Sequence, residues 1–173
     1  ILEKAIKGNA AFPVLSANIA GSRFLKNYRP ALLGETTGGT AVGIIGVTTD
    51  EQLQVRGALD PEFRLENPLE AARRWYTVLA STVDILIVVS HLGLNVPESR
   101  HQSRRDDRLL AKTLAEEKRR APLTASPITI IVGGHTHTVI DPVSAPVVEE
   151  GIPIFQAGCN MALLGEINVD IAR

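Results

Sequence analysis

The chain has 173 residues, enough for one domain that buries most of its apolar surface. Hydrophobic residues make up 45% and charged residues 21%, which excludes a disordered tail, a collagen-like repeat and a disulfide-stapled miniprotein. Eighteen Lys and Arg against 19 Asp and Glu leave a net charge of −1, and aromatics are only 4%, so neither a nucleic-acid polymer nor an anionic membrane is an expected partner.

Leu2 to Gly8 reads as the end of a helix, stopped near Gly8. Phe12 to Ile19 is a short apolar run with Pro13 near its start, as a strand tolerates. Ala31–Glu35 and Thr40–Val47 read as two more strands, with Thr36-Thr-Gly-Gly39 as the hairpin turn between them. Thr48 to Asn67 is polar and reads as a long loop, a functional excursion by its length. Pro68 opens a helix with Leu69, Ala72, Trp75, Tyr76 and Leu79 at helical spacing. Asp84–Ser90 is a continuous apolar run, the pattern of a strand covered on both faces. Asp106–Arg119 reads as a second helix with Leu109, Leu110, Leu114 and Ala115 on one stripe and basic residues at its end. Pro127–Val132, Ile152–Ala157 and Leu163–Val169 read as further strands. This alternation predicts an α/β fold with helices packed on a sheet.

No apolar run reaches the roughly 18 residues of a membrane span. The chain begins at Ile1 with no signal-peptide pattern, and its one cysteine, Cys159, cannot form an internal disulfide. The expectation is a single domain, residues 1–173, truncated at its N-terminus.

Three of the four histidines follow apolar strands: His91 after Val88-Val-Ser90, and His135 and His137 after Ile130-Ile-Val-Gly-Gly134. Ligands of open α/β sheets bind beyond the carboxyl ends of the strands, so two adjacent parallel strands would deliver three imidazoles to one edge. On extended backbone, His135 and His137 would face the same way with Cα atoms roughly 6–7 Å apart. That spacing suits two ions about 3.5–4 Å apart better than one. Thr136 and Thr138 are placed to bond nearby backbone or support the ligands. His101 reads as a solvated loop residue. Arg104, Arg105 and Arg108 read as a solvated helix start, with Asp106 and Asp107 as its counter-charges. Asp84 and Asp141 read as capping or turn residues.

Phe12-Pro-Val-Leu-Ser-Ala-Asn18, Ser90-His-Leu-Gly93 and Gly133-Gly-His-Thr-His-Thr138 together resemble the 5′-nucleotidase branch of the calcineurin-like metallophosphoesterases. Gly43-Ile-Ile-Gly-Val-Thr-Thr49 and Gln156-Ala-Gly158 with Leu164-Gly165 resemble that family's strand-plus-turn and closing hairpin. The resemblance implies part of a four-layer αββα sandwich with mixed sheets and flanking helices. It also implies a site for two divalent metal ions, Mn or Zn, where His91 and His135 bind one ion and His137 the other. The implied reaction is metal-dependent phosphate-ester hydrolysis, with a nucleotide or other phosphate ester as substrate. Export to the periplasm or cell surface is implied by the resemblance alone.

The family's Asp-x-His, Gly-Asp and Gly-Asn-His motifs are not in this sequence, and Asn18 does not stand in for them. The chain is therefore expected to supply only part of the dinuclear site, to bind metal weakly, and to turn over no phosphate ester alone. Two rival readings follow: a catalytically incomplete scaffold serving as a binding or structural module, and a mononuclear zinc hydrolase with His91, His135 and His137 as one shell. Strands lacking their neighbours would expose apolar edges, leading to a dimer or to association with a missing N-terminal segment.

Overall fold

The computed structural model describes residues 11–20, 28–51, 63–97, 102–120 and 126–171. The helix end read at Leu2–Gly8, His101 and residues 52–62 of the long loop lie outside them. Among the described residues the elements run β1 (Val14–Leu15), β2 (Ile19–Ala20), β3 (Tyr28–Arg29), β4 (Ala31–Glu35), β5 (Ala41–Thr48), β6 (Arg64–Leu65), α1 (Pro68–Leu79), β7 (Ile85–His91), α2 (Asp107–Arg120), β8 (Ile128–Val132), β9 (Val147–Glu149) and β10 (Ile152–Phe155).

Six strands form one mixed sheet in the order β4-β5-β7-β8-β10-β9. The inner four run parallel, while β4 and β9 pair antiparallel at the edges. The α/β class and the mixed sheet match the sequence reading. The β4–β5 hairpin closes through Gly39 N donating to Thr36 O at 2.9 Å, with Gly39 at φ 76°, a conformation that favours glycine. Helix α1 begins as its proline predicts, and Asn67 Oδ1 caps it by accepting from Leu69 N at 3.0 Å.

The two faces of this sheet differ. Ile45, Val47, Leu86, Val88, Ile131 and Ile154 share the face under the helices, and all are buried. Helices α1 and α2 pack on each other and on this face, over β5 and β10 respectively. Gly46 and Val89 pair on the opposite face. There β1 crosses β5 so closely that a Cβ on Gly46 would lie 2.6 Å from Leu15 O. Val89 is 47% exposed, so the Asp84–Ser90 run is fully covered on one face, not on both.

Three sequence expectations need correction. Leu109 is 40% exposed; the inward stripe of α2 is Asp107, Leu110, Ala111, Leu114 and Ala115. Leu163–Val169 forms no strand, because β10 already pairs on both sides, with β8 and β9. Phe12–Ile19 is not one strand: β1 joins β3 in parallel and β2 joins β6 antiparallel, in two separate two-stranded ladders.

The close crossing at Gly46 generates a test. Gly46→Ala forces β1 off β5 and costs about 1–3 kcal/mol of stability. Urea unfolding of the two proteins measures it; an unchanged midpoint would contradict the packing.

Candidate functional site

The parallel register of β7 and β8 brings the three histidines together. Val89 pairs with Val132, which sets His91 beside Gly134. A Cβ on Gly134 would lie 3.3 Å from His91 Nδ1, so the glycine lets the second loop pass close over the ring. The His91 and His135 rings meet edge to face with centroids 5.0 Å apart. His91 continues the alternation of β7 onto the open face, away from the helices, while Ser90 points toward α2. Partial burial and the neighbouring His137 hold the His91 imidazole below its ordinary pKa. At neutral pH it is therefore uncharged, the form that ligates metals.

The His-x-His pair does not lie on extended backbone. His135 has φ 85° and His137 φ 60°, both left-handed and unfavourable for non-glycine residues. The same-face spacing expected of a strand is replaced by a tight turn. Thr136 between them is buried, and its Oγ1 accepts from Leu94 N at 2.9 Å. Thr138 Oγ1 donates to Leu94 O at 3.1 Å. Both threonines bond backbone, as expected, and that backbone is the loop after His91, which they tie to this one. Thr136 packs so tightly that its Cγ2 lies 2.4 Å from where a Cβ on Gly93 would sit. Among the described residues no group of three or more His, Cys, Asp or Glu is gathered closely enough to hold a metal ion. The donors that are present suit a divalent ion in kind, since two neighbouring imidazoles, one held uncharged, are borderline nitrogen ligands.

Asp107, read from sequence as a surface counter-charge, is fully buried. Its Oδ1 accepts from Ser90 Oγ at 2.6 Å, and Ser90 Oγ accepts from Leu92 N at 3.2 Å. Among the described residues its Oδ2 has no hydrogen-bond partner, and it lies 2.2 Å from where a Cβ on Gly133 would be. The carboxyl is thus wedged between the residue before His91 and the first glycine of the second loop. Burial, with a smaller contribution from Asp106, pushes its pKa up to about 7, against the lowering effect of the Ser90 bond. Two of the arginines find counter-charges elsewhere, Arg105 on Asp50 at 2.7 Å and Arg108 on Glu149 at 3.3 Å, while the backbone N of Arg104 donates to Glu51. Asp106 instead caps α2, accepting from Leu109 N at 3.1 Å.

The remaining candidates are structural. Asn18 is fully buried, donating to Thr48 O and Glu66 O and accepting from Thr48 N. Asp84 accepts from Ala41 N at 2.8 Å, at the start of β7 and so at the opposite edge from the histidines. Asp141 holds a turn through Val143 N and Ser144. Cys159 is a half-buried free thiol.

Known proteins similar to this chain include one relative in sequence and two solved structures. A "5′-nucleotidase-related protein" of Glossina morsitans morsitans is 36% identical over 101 residues, covering 57% of this chain and 14% of that protein. A solved structure from Staphylococcus aureus, assigned as a 5′-nucleotidase and bound to alpha-ketoglutarate, superposes with TM-score 0.56 at 18% identity, over 86% of this chain and 27% of its own. The NAD nucleotidase of Haemophilus influenzae superposes with TM-score 0.57 at 18% identity, over 90% of this chain and 30% of its own. The structural likenesses establish a fold shared with part of these nucleotidases. The chain spans less than a third of each protein compared. No protein-family profile matches it.

The buried carboxyl sets a pH dependence. With its folded pKa at about 7 against the ordinary carboxylate value of 3.8, Asp107 makes the folded state bind more protons between those values. Its contribution to stability therefore falls as pH rises from about 4 to 7 and stays low above that. Asp107→Asn removes the slope. Between pH 5 and 8 the wild type should lose stability relative to this variant, by on the order of a few kcal/mol. Urea midpoints of both proteins at the two pH values measure the difference; parallel pH profiles would contradict it.

Proposed function

We propose that this chain is part of a metallophosphoesterase of 5′-nucleotidase type. Its proposed activity is hydrolysis of a phosphate ester, with a nucleotide as the favoured substrate. One observation carries the reading: the carboxyl ends of β7 and β8 bring His91 and His135 into ring contact beside His137, on a fold shared with nucleotidases. His91, His135 and His137 are the proposed ligands of divalent ions, Mn or Zn, in a site they complete only in part. Bound there, such ions would neutralise phosphoryl charge and lower the pKa of a coordinated water.

The chain's own residues have defined tasks in this reading. The lowered pKa of His91 keeps its lone pair available at neutral pH. Gly133 and Gly134 admit the second loop against Asp107 and His91. The open face of the sheet leaves His91 and His137 accessible from outside. Among the described residues no helix is long and apolar enough to cross a membrane.

A second reading, an incomplete scaffold that binds a partner, is favoured by a separate observation. Met161 and Leu164 are each 99% exposed, and Leu163 and Ile167 beside them are also exposed. Residues 163–171 alternate apolar and polar side chains, apart from Leu164, without joining a ladder. A second copy or an added strand would cover this segment.

The two readings separate in one set of measurements on the 173-residue chain. Titration with Zn²⁺ or Mn²⁺, followed by calorimetry, should show uptake that His91→Ala or His135→Ala reduces at least about tenfold. Phosphate release from a nucleoside monophosphate, with and without chelator, reports turnover in the same samples. Absence of uptake would refute the metal site and favour the scaffold. Robust metal-dependent release would refute the partial-site assignment.

A further inference from the structure

The loop that carries His135 and His137 is closed at its base by the strand beside it. Gly133 N donates to Phe155 O at 2.7 Å as the chain enters the loop. Ile140 N donates to Gln156 O at 3.0 Å, and Gly158 N to Thr138 O at 2.9 Å, as it leaves. Residues 134–137 bulge out between these anchors, with the two histidines in left-handed conformations. Such conformations persist only where the surroundings over-determine them.

The side chain of Gln156 fills the inside of this bulge. It is buried, at 4% exposure, just past the end of β10. With its oxygen turned toward the loop, the orientation in which donors meet an acceptor, it accepts from His137 N at 3.1 Å and Thr138 N at 3.1 Å. The same oxygen lies 3.3 Å from Thr136 Oγ1. Thr136 Oγ1 in turn accepts from Leu94 N and lies 3.0 Å from Thr138 Oγ1. One amide therefore touches three consecutive residues of the histidine loop, and through Thr136 reaches the loop after His91.

We propose that Gln156 is a positioning residue for His135 and His137. Its oxygen holds two backbone N–H groups in the turn that aims both imidazoles at the open face. Its contact with His137 is to the backbone N–H. Hydrogen-bonded supports of this kind govern how well ligating histidines are oriented. The inference rests on the proposed metal site, but the loop geometry it invokes can be measured without metal.

Two variants and one measurement on the wild type test it. Gln156→Met keeps the length and removes the acceptor; Gln156→Glu keeps an oxygen acceptor. Amide hydrogen exchange of the metal-free wild type, read by NMR, should show His137 and Thr138 N–H protected. Zn²⁺ titration should then show about 10–100-fold weaker binding in the Met variant and near wild-type binding in the Glu variant. Thermal unfolding by circular dichroism confirms that both variants are folded. Fast exchange at both amides, or a folded Met variant that binds Zn²⁺ like the wild type, would overturn the proposal. A Met variant that does not fold passes the decision to the exchange data and the Glu variant. A wild type that takes up no Zn²⁺, with both amides protected, would refute the metal site and leave the positioning of the loop standing.

Discussion

The pairing of Val89 with Val132 fixes the candidate site. That register sets Ser90 level with Gly133 and His91 level with Gly134. A slip of one residue would turn His91 toward the helices and Ser90 toward the open face, because strand side chains alternate. The packing on each face guards against such a slip. On the helix side, Leu86 and Val88 are buried, and Ser90 bonds Asp107 of α2. On the other side, the His91 ring lies against Gly134. The site thus inherits its geometry from the sheet core, and the loops only finish it.

Asp107 shows what that arrangement costs. A carboxyl with one oxygen unpartnered is an expensive group to bury. The raised pKa lowers the cost by letting the group stay protonated near neutrality. In return it joins three segments, since its backbone N also donates to Gly93 O at 2.7 Å. Ser90 and Gly93 flank His91 and Leu92, and Gly133 opens the loop of His135 and His137. The two glycines there have different physical reasons. Gly133 makes room for the carboxyl of Asp107, whereas Gly93 has φ 92° and faces the methyl of Thr136.

Much of this was legible in the sequence, and the misses have identifiable causes. The β4–β5 hairpin, α1 and the β7 and β8 strands carry local signals: a Thr-Thr-Gly-Gly turn, a proline at the helix start and apolar runs ended by Ser-His or Gly-Gly. The placement of His91 and His135 followed from those strand ends. Asp107 was missed because a charged residue at i of an i, i+3, i+4, i+7 stripe looks like the polar boundary of the helix. Nothing in the sequence marks it as facing inward. Gln156 was noted only as part of a strand and closing hairpin, since the donors its oxygen meets lie about twenty residues away along the chain. The alternation in Leu163–Val169 is a true strand pattern, but strand pattern encodes only half of a ladder. The other half is a free partner edge, and β10 offers none.

The left-handed turn at His135 and His137 also removes the same-face spacing expected of the pair. The two-ion reading drew on the spacing of extended backbone, and that premise does not hold in the folded chain. A single three-histidine shell would need all three rings around one point. The rings of His91 and His135 do approach each other, and His137 is near enough to depress the pKa of His91. Yet among the described residues no three ligating groups converge on one position. For the proposed metal site, proximity without convergence makes the orientation of the histidine loop the deciding variable. In the positioning proposed for Gln156, that orientation depends on hydrogen bonds to the backbone of residues 137 and 138, so the support beneath the loop matters to the proposed site as much as the histidines it presents.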